Sequence, residues 1–97
     1  MTAYNVVRFK VKPGKEAEFI ATQKANPLTL KGFRKGAMIK TGDRTFCLIG
    51  EWNAMSDLVA ARPMMIASLD KLRPLLEDMG GGLGVTDPVS GEAVLEM

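Results

Sequence analysis

The 97-residue chain has no histidine. That removes the commonest general base near neutral pH and the commonest metal ligand together. There is one cysteine, Cys47, so no disulfide can form within one copy. It lies in the run TFCLIG, where a small buried hydrophobe is its expected role. No apolar run approaches the ~20 residues of a membrane span. The N-terminus enters a strand pattern directly, with no signal-peptide core. A cytoplasmic protein without membrane contact is the expectation. Charge of one sign is also lacking: 13 basic and 11 acidic residues leave a formal net charge of +2. This balance gives no footing for nucleic acid. The densest basic cluster, Lys10, Lys12 and Lys15, fits a solvated strand end. Aromatic residues are few, with a single tryptophan, Trp52.

Apolar residues, by contrast, make up 46% of the chain. A chain this short buries only about 60–65% of its unfolded surface. The mismatch predicts a second copy covering apolar surface, and the length predicts one domain over residues 1–97.

Residues 4–11 alternate. Asn5, Val7, Phe9 and Val11 face one way, and Tyr4, Val6, Arg8 and Lys10 the other. Pro13-Gly14 stops this strand. Residues 15–25 form a short helix with Ala17, Phe19, Ile20 and Ala21 on its apolar arc, ended by Asn26-Pro27. A linker leads to a hairpin with arms 34–41 and 44–52 and a Gly42-Asp43 turn. In the second arm Phe46, Leu48, Gly50 and Trp52 share one face, and Cys47 and Ile49 the other. A strand apolar on both sides is buried on both sides.

Ser56 is the expected N-cap of the next helix. Leu58, Arg62, Met65, Leu69, Leu72, Leu76 and Met79 recur at helical spacing as its core stripe. Pro63 divides a short helix from a long one, and Pro74 kinks or restarts the long one. GGGLG (80–84) stops it, without phosphate-loop spacing. TDPVSG (86–91) reads as a turn and EAVLEM (92–97) as the last strand. The order βαββαβ predicts an α+β, ferredoxin-like fold: a four-stranded antiparallel sheet with both helices on one face. The first and third strands are then central. The face opposite the helices is left for a second sheet, giving a homodimer.

The stretch VVRFKVKPGKEAEF, followed by CLIGEWNAMSDLVA, resembles the antibiotic biosynthesis monooxygenase family of dimeric α+β barrels. The shared pattern is a first strand ending in Pro-Gly, a helix with a central Phe, and a strand ending in Glu-Trp just before a helix. It covers residues 4–62. The resemblance implies a homodimer with sheets packed face to face, and a pocket between helices and sheet in each subunit. Some members oxidise aromatic or polyketide substrates with O₂, using neither metal nor flavin. Haem-cleaving relatives use an Asn on the first strand with a Trp and a His. Asn5 and Trp52 match the first two, and the His has no counterpart, so haem cleavage is not expected.

Three residues are candidates for binding a substrate: Asn5, Trp52 and Arg62. Trp52 closes the core or lines the pocket, two compatible roles because a pocket wall is also core, and its large ring needs burial in any case. Asn5 shares a face with Val7 and Phe9. Arg62 is the one polar member of the helical stripe and snorkels to solvent, carries a salt bridge, or brings positive charge to the pocket. No residue is assigned as a catalyst, and no metal or cofactor is expected. The expected function is a cofactor-independent, monooxygenase-like protein acting on a small aromatic or polyketide-like molecule. The alternative is a non-catalytic homodimer that binds a small apolar ligand.

Overall fold

The computed structural model describes residues 2–25, 29–82 and 84–97. The strands are β1 (Ala3–Lys10), β2 (Phe33–Gly42), β3 (Thr45–Trp52) and β4 (Thr86–Glu92). The helices are α1 (Glu16–Ala25) and α2 (Met55–Leu72), the latter followed by a 3₁₀ turn at Arg73–Leu75. The strands form one antiparallel sheet in the order β2-β3-β1-β4. The first and third strands are central, and the fold is the ferredoxin-like βαββαβ arrangement that the alternation predicts.

Strand parity follows the sequence. Ala3, Asn5 and Phe9 of β1 are buried, whereas Tyr4 and Arg8 are exposed. Their inward partners on β3 are Trp52, Gly50 and Phe46. Two apolar clusters cover this inner face. One joins Phe9, Val11, Phe19, Phe46, Leu72, Leu75 and Leu76. Its centre is Phe19 of α1, whose ring lies 5.9 Å from Phe9 and 5.2 Å from Phe46. Phe19 is the one buried residue of α1, and Ala17 and Ala21 of the expected arc are exposed. The second cluster joins Ala3, Trp52, Leu58 and Ala61.

The outer face is ordered in rows. Ala37, Ile49, Val6 and Val89 stand in register across all four strands. The next row is Ile39, Cys47, Arg8 and Asp87. Cys47 is already 6% exposed in a single copy, with Arg8 and Ile39 as its cross-strand neighbours. Arg8 pairs with Asp87 at 2.6 Å within the same chain, so its charge is met without a second copy.

Several boundaries differ from the sequence expectation. The hairpin turn is Asp43-Arg44 rather than Gly42-Asp43. Arg44 adopts the left-handed conformation (φ 58°). Its N–H donates to Glu16 Oε1, and its guanidinium to Val11 O and Glu77 Oε1. These bonds oppose the steric cost of that conformation in a non-glycine residue. Helix α2 begins at Met55 with extended Ala54 as its N-cap and no side-chain cap bond, so Ser56 is not the cap. Pro63 lies inside α2 without dividing it. The backbone bond it removes is the one to Val59 O, on a solvent-exposed side. At Pro74 the α-helix gives way to the 3₁₀ turn, and Leu76 pairs with Val11 in an isolated bridge. Leu76 and Met79 therefore lie beyond the helix.

The last strand is TDPVSGE, the segment that reads as a turn. Residues 93–97 form no strand, and Val94, Leu95 and Met97 are largely exposed. Pro88 is tolerated because β4 is an edge strand with only β1 as partner. The Asn26-Pro27 stop lies outside the described residues, as do Leu28 of the linker and Leu83 of the glycine-rich loop. Among the described residues no helix is long and apolar enough to cross a membrane.

Candidate functional site

The two apolar clusters sit at opposite ends of the inner face. Between them the sheet and α2 do not meet fully, and a cavity of about 360 Å³ opens. Its floor is Asn5, Val7 and Phe9 of β1. Its roof is Leu58, Arg62, Met65 and Leu69, spaced three and four residues apart on α2. Thr86, Pro88 and Ser90 of β4 close one side. They follow the period of two of a strand, opposite Phe9, Val7 and Asn5 in register. No lining residue is a carboxylate.

Among the described residues Asn5 is the one buried polar side chain. Its Oδ1 accepts a hydrogen bond from Trp52 Nε1 at 2.8 Å. This bond uses the amide oxygen and leaves Nδ2 as the free donor. No buried side-chain nitrogen or oxygen among the described residues lacks a partner. Among the described residues Nδ2 has no hydrogen-bond partner, so it opens onto the cavity that Asn5 lines. A carboxamide held at its oxygen presents its N–H groups in a fixed direction, which suits an incoming oxygen atom.

Trp52 itself is only 1% exposed and is not part of the cavity wall. Its ring meets Phe33 edge-on at 5.1 Å and packs with Ala3, Leu58 and Ala61. Of the two roles open to it in the sequence, the structure shows core closure. Its link to the cavity runs through Asn5.

Arg62 is on the wall, and its Nη2 reaches Ser90 Oγ at 3.3 Å. Arg8, Arg34, Arg44 and Arg73 each reach a carboxylate. Among the described residues Arg62 reaches none, so its charge is not neutralised in place. An arginine beside an apolar cavity with no acid lining is electrostatically suited to an anionic oxygen.

Sequence reasoning missed the β4 wall. Thr86, Pro88 and Ser90 were hidden by the turn-like composition of TDPVSG, although Thr86 and Val89 were β-branched signals of a strand. Tyr4 lies on the outer face, where its hydroxyl donates to Glu51 Oε1 at 2.9 Å. That bond favours the protonated phenol and raises its pKa above the usual 10.0. Among the described residues no cluster of three His, Cys, Asp or Glu could hold a metal ion.

The architecture can be compared directly with solved structures. SnoaB, a cofactor-independent oxygenase from Streptomyces nogalater, is 18% identical with a TM-score of 0.72, and the match covers 99% of this chain and 96% of SnoaB. A protein from Chloroflexus aurantiacus, provisionally described as an antibiotic biosynthesis monooxygenase, is 12% identical with a TM-score of 0.72. That match covers 100% of this chain and 97% of the other.

The fold is that of the antibiotic biosynthesis monooxygenases.

A protein of unknown function from Nitrosomonas europaea also has this monooxygenase fold, at 19% identity, TM-score 0.73, and coverage of 99% and 92%. No protein-family model and no curated protein matches the chain by sequence. At these identities the likeness establishes the fold, and the chemistry has to be argued from the cavity.

Proposed function

We propose that the chain is a cofactor-independent, monooxygenase-type protein that binds a small aromatic or polyketide-like molecule as an oxyanion. The observation that carries this reading is the pairing of a fixed amide donor, Asn5, with an unneutralised cation, Arg62, in an apolar cavity. The fold shared with SnoaB, itself described as a cofactor-independent oxygenase, supports it.

No base lines the cavity, so the substrate supplies its own acidity. A methylene activated by flanking phenol and carbonyl groups loses a proton to water and becomes an enolate. The enolate passes electrons to O₂ and a carbon–oxygen bond forms as a hydroperoxide. Loss of water then leaves a ketone, so CH₂ and O₂ give C=O and H₂O. The role of Asn5 Nδ2 and Arg62 is to hold the enolate oxygen and stabilise its charge. The role of Val7, Phe9, Leu58 and Leu69 is to keep the site dry, which strengthens both interactions. Trp52 acts through Asn5.

We propose in addition a homodimer formed through the outer sheet face. The support is the unbroken apolar row Ala37, Ile49, Val6 and Val89, alternate in strand parity to the residues of the two apolar clusters. Val89 remains 61% exposed there.

The same lack of a base favours a second reading, a homodimer that binds such ligands without turning them over. Oxygen uptake separates the two. With a phenolic methylene substrate in chelator-treated buffer, the first reading predicts consumption of one O₂ per ketone formed, reduced in Asn5→Ala. Binding without uptake above the uncatalysed rate would establish the second.

A further inference from the structure

The hydrogen bond between Asn5 and Trp52 passes over a residue that has no side chain. Gly50 pairs with Asn5 in the β1–β3 register and is buried at the centre of the sheet. Glycine weakens a strand interior because it has no side chain to pack and loses more backbone freedom on folding. Its backbone here is ordinary, not left-handed, so conformation does not demand glycine.

Space does. A β-carbon at position 50 would collide with Asn5 Oδ1 and stand 3.1 Å from Trp52 Nε1. Both atoms of the hydrogen bond occupy the volume that any other residue would fill. Gly36, its register partner on β2, is different: a β-carbon there would meet the Phe33 ring at 2.9 Å. Phe33 covers Gly36 and braces the Trp52 ring, while Gly50 makes room for the polar contact. We propose that Gly50 is a positioning residue, whose missing side chain fixes the Asn5 amide with its N–H groups toward the cavity. The consequence for ligands rests on reading that cavity as the binding site.

The effect of Gly50 on a ligand passes through Asn5. In Gly50→Ala the methyl group displaces Oδ1, the indole bond breaks, and the cavity donor loses its orientation. In Asn5→Ala the same methyl group has lost its main obstacle and keeps only a tight 3.1 Å contact with Trp52 Nε1, so it changes far less. The single tryptophan makes this visible, because its indole N–H gives one peak in a proton–nitrogen correlation spectrum. Gly50→Ala is expected to move that peak to the position it takes in Asn5→Ala. Affinity for hydroxynaphthoate, the probe anion, is expected to fall about tenfold, the worth of one hydrogen bond to a charged oxygen. Adding Gly50→Ala to Asn5→Ala is expected to leave the peak, the affinity and the melting temperature nearly unchanged. This double variant also covers the case in which Gly50→Ala alone folds poorly, since restored folding would itself locate the clash at Asn5. An indole peak that stays at its wild-type position in Gly50→Ala would overturn the proposal. So would equal losses of stability or affinity in both backgrounds. If the wild-type protein fails to bind hydroxynaphthoate, the ligand reading falls, and the peak positions and melting temperatures still decide whether Gly50 sets the amide.

Discussion

Trp52 and Asn5 sit diagonally across adjacent strands and share a 2.8 Å hydrogen bond with both residues almost sealed from water. A buried polar pair of this kind is costly to break, because each end is left unpaired. Trp52→Phe is expected to lose about 1–3 kcal/mol from the stranded amide oxygen, with a further loss from the smaller ring. Urea denaturation followed by circular dichroism measures this. Asn5→Ala should cost less in the Trp52→Phe background than alone, and strict additivity would show that the two residues are uncoupled.

Arg62 should separate binding from stability. It is exposed and, among the described residues, has no carboxylate partner. Arg62→Gln is expected to change the unfolding free energy by no more than about 0.5 kcal/mol. Affinity for an anionic aromatic should nevertheless drop, and its salt dependence should flatten. A large stability loss in thermal unfolding would instead give Arg62 a structural role.

Tyr4 is the chain's only tyrosine, so its ionisation can be followed by ultraviolet absorbance. Its hydrogen bond to Glu51 raises the folded pKa above 10.0. Any stability this provides is fully present below the unfolded pKa of 10.0 and is lost as pH rises through the higher folded value. Glu51→Gln should lower the midpoint towards that of free tyrosine. An unchanged midpoint in the variant would leave the Tyr4–Glu51 bond without a role in the titration.

The outer apolar row makes a prediction about assembly. Val89 is exposed in one copy, so Val89→Asp should leave the subunit folded while placing a charge where two sheets would meet. Sedimentation velocity should then show a dimer for the wild type and a folded monomer for the variant. A monomeric wild type at micromolar concentration would remove the homodimer.

The central part of the fold was legible because its signals repeat. β1 alternates over several residues and β3 is apolar on both faces, and the period of two put Asn5 with Val7 and Phe9 and Gly50 with Trp52. The resemblance in residues 4–62 pointed to Asn5 and Trp52 as site candidates, and Arg62 stood out as the one polar member of the helical stripe. The C-terminal part was not legible. EAVLEM alternates like a strand, but 86–92 already occupies the free edge of β1, and alternation does not supply a partner. Pro88 and Gly91 disguised that edge strand as a turn. Pro63 looked like a helix break, although on an exposed side it leaves only a solvated carbonyl without its helical bond. Whether Trp52 was wall or core depended on its packing against Phe33, Ala3, Leu58 and Ala61, which periodicity does not record.

The most direct test of the account is isothermal titration with a matched pair of planar aromatics, one bearing an anionic oxygen and one with that oxygen methylated. The wild-type protein is expected to bind the anion at least about tenfold more tightly. Asn5→Ala and Arg62→Gln should each erase most of that preference. Equal affinity for the two compounds, or a preference untouched by either substitution, would contradict it.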